Sequence, residues 1–194
     1  GMFHPRVALF GPQRSHGPRA AKKVALSFDD GPHPDFTPQI AEALAAAQAK
    51  ATFFTIGAFV EQHPAVARAL VAAGHELGNH TFSHDTFRHL FSAPALTADL
   101  QKCQTLLSGF GAPPKWYRPA VGIRNPPVHA AARAVGLEVV TWSHAARDGA
   151  WALDEARALG LATRAEAGDI LVLHDGVRGK EAAVRAQTVR WLPV

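Results

Sequence analysis

The chain is expected to fold as an α/β domain around a parallel sheet, and three observations carry that expectation. Short apolar runs alternate with helical stripes six times, Gly, Pro and Asn punctuate the junctions, and the reactive side chains fall just after the runs. Parallel neighbours need crossover connections, usually helices, and this alternation supplies them. The 194 residues, 47% of them hydrophobic, suffice for one domain with a full core.

Residues 1–21 carry Pro and Gly without periodicity and read as an irregular arm, leaving 22–194 as the domain. Gly1 ahead of Met2 reads as a cloning remnant, and GMFHPRVALFG lacks the apolar core of a signal peptide. A cytoplasmic location is therefore the expectation, and no run is long enough to span a membrane. Residues 24–28 form a buried strand that stops at Asp29, Asp30, Gly31 and Pro32. Thr37 and Pro38 supply an N-cap and first helical residue ahead of the stripe Ile40, Ala41, Leu44 and Ala45. ATFFTIG, 51–57, is β-branched and aromatic, hence a strand, and 59–73 is helical with Gly74 as its stop. Residues 75–79 read as a strand, 80–91 as a loop of histidines and aromatics, and 94–108 as a helix. A short strand at 115–117 follows, then a helix opened by Asn125 and Pro126 and ended by Gly136. LEVVTW, 137–142, is a strand, 153–167 contains a helix, DILVL at 169–173 is the last strand, and a helix starts near Lys180. The end is still apolar, as though an element were cut short. A barrel and an open doubly wound sheet both satisfy this pattern.

The net charge of +4 comes from scattered residues apart from Arg14, Arg19, Lys22 and Lys23, which argues against a nucleic-acid partner. Cys103 is the only cysteine, so no intrachain disulfide forms, and its leucine neighbours make it a buried hydrophobe rather than a nucleophile.

Asp29 and Asp30 follow the first strand, His80 and His84 the third, Arg118 the fourth, Asp148 the fifth, and His174 and Asp175 the sixth. In parallel α/β folds these carboxyl ends converge on the rim that holds the active site. His80 and His84, four apart, suit two ligands of one divalent metal, and a carboxylate from the first strand completes a usual catalytic set. Histidines that merely line a loop are the competing reading. Two adjacent carboxylates oppose each other's ionisation unless a cation intervenes, so one is expected to ligate and the other to act as base. Because strand side chains alternate, the backbone must bend there for both to reach one pocket. Beside an activated water His174 becomes a general acid, with Asp148 and Asp175 as candidates to raise its pKa. Arg118 offers a two-pronged hydrogen bond to a carboxylate. Tyr117, Trp116, Trp142 and Trp151 have aromatic faces for stacking on sugar rings, with core packing the commoner use. His33, His63, His75, His89, His129 and His144 read as surface or structural.

SFDDGPHP, ATFFTIG, GHELGNHTFSH, the Arg118-Pro119 segment and ILVLHDG, in this order, resemble the polysaccharide deacetylases of the nodulation-deacetylase homology domain, carbohydrate esterase family four. The resemblance implies a distorted (β/α) barrel of six to seven βα units. It also implies metal-dependent removal of N-acetyl, sometimes O-acetyl, groups from a carbohydrate containing N-acetylglucosamine. Asp29 resembles the catalytic base, Asp30, His80 and His84 the ligands of a divalent metal (zinc first, with cobalt, nickel or manganese as alternatives), and Arg118 the arginine that orients the base. His174 resembles the catalytic acid, and 171–173, Leu173 in particular, the apolar wall beside the acetyl methyl. By their aromatic faces near the rim, Tyr117 and Trp142 are expected as further substrate contacts. The family's fourth motif usually has an Asp three residues after its Trp, where this chain has Ala145, and Asp148 matches that motif's second acid. Hydrolysis of another amide, a formamido sugar or a ureide ring, and sugar binding without turnover are the competing readings.

Overall fold

The computed structural model describes residues 10–111, 113–149, 151–176 and 182–192. The readings of Gly1 and Met2, and of the first residues of the helix placed near Lys180, lie outside them. In chain order the elements are β1 (Ala25–Asp29), α1 (Phe36–Ala46), β2 (Ala51–Thr55), α2 (Gly57–Gln62), α3 (Pro64–Ala72) and β3 (Glu76–Asn79). They continue with α4 (Thr86–Phe91), α5 (Ala93–Ser108), β4 (Trp116–Tyr117), α6 (Pro126–Val135) and β5 (Glu138–Val139). The last are β6 (His144–Ala145), α7 (Glu155–Arg164), β7 (Ile170–His174) and α8 (Ala182–Trp191).

All neighbouring strands run parallel, in the order β5-β4-β3-β2-β1-β7-β6. The two edge strands are consecutive in the chain, and that decides the shape. Val139 and His144 are at most about 18 Å apart along an extended backbone, whereas the edges of a flat seven-stranded sheet would lie about 29 Å apart. The sheet therefore curls into a distorted barrel. The single strand expected at 137–142 is in fact a bent segment that changes partners: its first part pairs with β4, and β6 pairs with β7. The N-terminal arm fills the gap between them. Arg14 bridges Val140 and His16 bridges Asp169, so residues 14–17 belong to the barrel wall rather than to a surface tail.

Three other expectations shift. The helix read at 59–73 starts at Gly57 and breaks at His63, because Pro64 has no N–H to continue α2 and instead opens α3. The loop at 80–91 contains α4. Thr37 is not a cap: it lies inside α1, and its hydroxyl donates to Asp175 Oδ2 at 2.6 Å. The caps at Asn125, which accepts from Val128 N at 3.0 Å, and at Gly136, with φ 73°, are as the sequence predicts.

Strand alternation separates the two faces of the sheet. Phe28 pairs with Phe53 and Leu173, and all three pack outward with Ile40, Leu44 and Leu70 beneath the helices. Asp29 pairs with Phe54 and His174 on the inner face. Gly78 is required there, since a Cβ would lie 2.5 Å from the Phe54 ring. Cys103 is buried in the outer core with its thiol pushed up to about 12 by burial, inert as expected.

Candidate active site

The register that pairs Asp29 with His174 puts both side chains at the carboxyl end of the inner face. Asp29 is 4% exposed and accepts from Arg118 Nη1 at 2.7 Å. Arg118 is itself fully buried. Its other bonds, Nη1 to Ser27 Oγ at 2.7 Å and Nη2 to the Thr141 carbonyl at 3.0 Å, fix the guanidinium between β1 and the segment that joins β5 to β6. Phe54 lies 4.0 Å beneath it. A carboxylate so held keeps one orientation.

Asp30 reaches the same pocket because its backbone is left-handed, φ 72°, a conformation that Asp tolerates better than most residues. This turn is the bend that two adjacent carboxylates require. Asp30 Oδ1 lies 3.3 Å from His80 Nε2 and 3.3 Å from His84 Nε2. His80 Nδ1 donates to the Arg118 carbonyl at 2.7 Å, a bond that turns Nε2 toward Asp30. Burial pushes Asp30 up, but the two imidazoles outweigh it and hold the carboxyl well below the usual range. One ligand atom from each of the three residues falls within 4.8 Å of the others. Asp30 Oδ1 is buried yet makes no hydrogen bond of good geometry. An acceptor oxygen and two imidazole nitrogens converging on one point fit a divalent cation.

On the other side His174 Nδ1 meets Asp148 Oδ1 at 2.8 Å, and the His174 backbone N–H donates to Asp148 Oδ2 at 3.0 Å. Of the two acids considered, Asp148 is the partner of His174. Asp175 is buried under the Gly31 turn, hydrogen-bonded to Thr37 and pushed up to about 7 by burial. Burial opposes the imidazolium of His174, but the bond and charge of Asp148, with Asp29 and Asp30 behind it, raise it to about 9. Gly149 lies flat on the ring: a Cβ there would come within 2.8 Å of His174 Nε2. The absence of a side chain keeps that nitrogen approachable.

Residues 16–140 match the polysaccharide deacetylase family model, well over half of the chain. The chain belongs to the polysaccharide deacetylase family. It is 33% identical over 171 residues to a peptidoglycan-N-acetylglucosamine deacetylase of Bacillus cereus, covering 87% of this chain and 80% of that one. A chitooligosaccharide deacetylase of Bradyrhizobium sp. is 34% identical over 194 residues, covering 96% and 89%. Among solved structures, a family-four carbohydrate esterase pseudoenzyme from Bacillus anthracis superposes with a TM-score of 0.79 at 22% identity, over 92% of this chain and 60% of that one. As a polysaccharide deacetylase the protein is a hydrolase. Its matched stretch includes Asp29, Asp30, His80, His84 and Arg118 and ends before Asp148 and His174.

Two expected substrate contacts of the deacetylase are corrected. Leu173 faces outward, 3% exposed, within the helix-covered core, and Leu171 lies there too. Val172, paired with Ser27, shares the face of His174 instead. Tyr117 is 2% exposed among Leu96, Leu100 and Val128, so its ring is core rather than a platform for sugar. Trp142 is half-buried against Phe54 and Val140, 5.9 Å from the Arg118 guanidinium. Trp151 is 57% exposed, three residues beyond Asp148, and Phe87 and Phe91 on α4 are 77% and 74% exposed just beyond His84. Sequence reasoning gave no role to Ser27, Arg185 or Thr188, and within 171–173 it singled out Leu173 rather than Val172. Ser27 was open to discovery as a polar residue in an apolar strand, two before Asp29.

Proposed function

We propose that this deacetylase hydrolyses N-acetyl groups of N-acetylglucosamine units in a poly- or oligosaccharide, and that it does so with a divalent cation, zinc first among the options. The observation that carries this reading is the pairing, at one strand register, of an arginine-held carboxylate and an aspartate-held histidine beside three convergent ligand atoms. Asp30, His80 and His84 would hold the cation, which when bound supplies Lewis acidity at the acetyl carbonyl. Asp29 accepts a proton from the attacking water, and Arg118 keeps Asp29 aimed. As the new C–O bond forms and the C–N bond breaks, His174 delivers the proton from Nε2 to the departing nitrogen, and acetate and a free amine result. Asp148 holds the imidazole in the tautomer and orientation this transfer needs.

The names of the relatives support an N-acetylglucosamine polymer, and the exposed rings of Trp151, Phe87 and Phe91 near the rim support a carbohydrate chain. O-acetyl sugars and other amides remain the alternatives in substrate. The fold's likeness to a pseudoenzyme favours, as a second reading, a sugar-binding protein without turnover. No helix among the described residues is long and apolar enough to cross a membrane.

The test is acetate release from chitooligosaccharides, peptidoglycan fragments and acetylated xylan by zinc-loaded protein, with Asp29→Asn as control. Release from the first two that the variant lacks is the expected result. Sugar binding with no release from any substrate would replace the enzyme with the binding protein, and undiminished release by Asp29→Asn would remove Asp29 from its role.

A further inference from the structure

Asp148 does not hold His174 unaided, because its second oxygen and its backbone carbonyl are themselves held from the last helix. Thr188 Oγ1 donates to Asp148 Oδ2 at 2.8 Å, and Arg185 Nη1 lies 3.2 Å from the same oxygen. Arg185 Nη1 also donates to the His174 carbonyl at 2.9 Å, and Arg185 Nε to the Gly176 carbonyl at 2.8 Å. A further contact runs from Nη1 to the Asp148 carbonyl at 3.4 Å. Arg185 is 1% exposed and Thr188 is 0% exposed, on a helix that also packs Val189 and Trp191 against the outer core. A buried guanidinium is retained only where its donors are used, and here they converge on the two residues of the proton-donor pair and on the turn after β7.

We infer that Arg185 and Thr188 are positioning residues of the active site, which clamp Asp148 and the end of β7 so that His174 Nε2 stays aimed at the leaving nitrogen. The geometry separates their tasks. Thr188 occupies a lone pair of Asp148 Oδ2 and so fixes the rotation of the carboxylate that receives His174 Nδ1. Arg185 ties the backbone of His174 and Gly176 to Asp148, which stops the strand end from drifting away from the carboxylate. The hydroxyl of Thr188 and the charge of Arg185 both draw electron density from Asp148. Each therefore moderates how strongly the carboxylate holds the proton on His174. The groups that face His174 are Asp148 on its own side and Asp29 and Asp30 across the pocket. The inference rests on the reading of His174 as proton donor.

The experiment compares Thr188→Val, Thr188→Ser and Arg185→Lys with the zinc-loaded wild type and with His174→Ala. It reads kcat and KM for chitooligosaccharide, the pH profile of kcat, the melting temperature, and the proton NMR signal of His174 Nδ1–H. Thr188→Val keeps the side-chain volume and is expected to fold. Its kcat is expected to drop about tenfold with KM unchanged, its basic limb to move to higher pH, and its Nδ1–H signal to shift. Thr188→Ser is expected to stay within twofold of wild type in all of these. Arg185→Lys is expected to drop kcat further, and the Nδ1–H signal reports on it even if its stability falls. A Thr188→Val protein with wild-type kcat, limb and Nδ1–H signal overturns the inference, whatever happens to its melting temperature. If instead wild type and His174→Ala release acetate equally, it is the proton-donor reading that fails. A shift of the Nδ1–H signal in Thr188→Val would then still support the clamp as structure.

Discussion

The two halves of the site are built on opposite plans. In the cradle half, Asp29 and Asp30 are chain neighbours, and each is assigned a different cationic or ligand-like environment by a single left-handed residue. In the clamp half one carboxylate, Asp148, serves donors from β7 and α8 that lie 26 to 40 residues away. The cradle lies within the stretch that matches the family model and the clamp lies beyond it. The difference teaches that the cradle depends on local turns at the ends of β1 and β3, whereas the clamp depends on the chain having closed the barrel and laid α8 against β7. Damage to the cradle should abolish the chemistry. Damage to the clamp should retune it.

The largest effect is expected from Asp30→Asn. The amide keeps the shape but loses the anion that two imidazoles face, so metal content by elemental analysis should fall below one equivalent and kcat by about 10³-fold or more. Full zinc occupancy with normal turnover would move the cradle elsewhere. A smaller effect is expected from Asp148→Asn, which should leave metal content intact and lower kcat by about 10–100-fold. Its pH profile carries the sharper result. His174, raised to about 9, is protonated below that pH and loses its proton as pH rises through it. Without the Asp148 anion, burial dominates and pulls the imidazole down, so the basic limb of the variant should move toward acid. A cation in the cradle cancels charge that Asp30 contributes, so His174, followed by proton NMR, should lose its proton at lower pH in the loaded protein than in the metal-free one. An unmoved limb in Asp148→Asn would break the division between the two halves.

How much of this was legible follows the same division. The strand before Asp29, the turn after it and the spacing of His80 and His84 are local patterns, and the structure brings those residues together. Ala145 in place of the family's first acid left the partner of His174 open, because a contact between the segment after β6 and the end of β7 has no local trace. Arg185 and Thr188 were invisible for a related reason: polar residues on an alanine-rich helix read as solvated until the fold buries them. The misplacement of Leu173 and Tyr117 had a different origin. Each immediately precedes an inward residue, His174 or Arg118, so strand alternation already turns it outward. Counting by twos from His174 reaches Val172. From Arg118 it reaches Trp116, whose indole N–H donates to Glu76 Oε1 at 3.1 Å.

The smallest effect is expected at the other end of β7, where the same strand that carries His174 is anchored without any part in the chemistry. Asp169, 1% exposed, accepts from Arg19 Nη1 at 2.8 Å and from the Glu166 backbone N–H at 2.9 Å, and meets His144 Nε2 at 3.0 Å. Burial raises its pKa, but the Glu166 N–H, the Ser143 hydroxyl and Arg19 prevail and lower it to about 2. A depressed carboxylate stabilises the fold fully above its ordinary value near 3.8, and the contribution disappears as pH falls toward 2. The shift is equivalent to about 2 kcal/mol. Asp169→Ala should therefore lower the melting temperature by about 4–8 °C at pH 7, with kcat and metal content nearly unchanged. The gap from wild type should close as the pH is taken from 4 toward 2. A loss of turnover comparable to that of Asp148→Asn would mean that the arm, through β7, sets the position of His174 as firmly as α8 does.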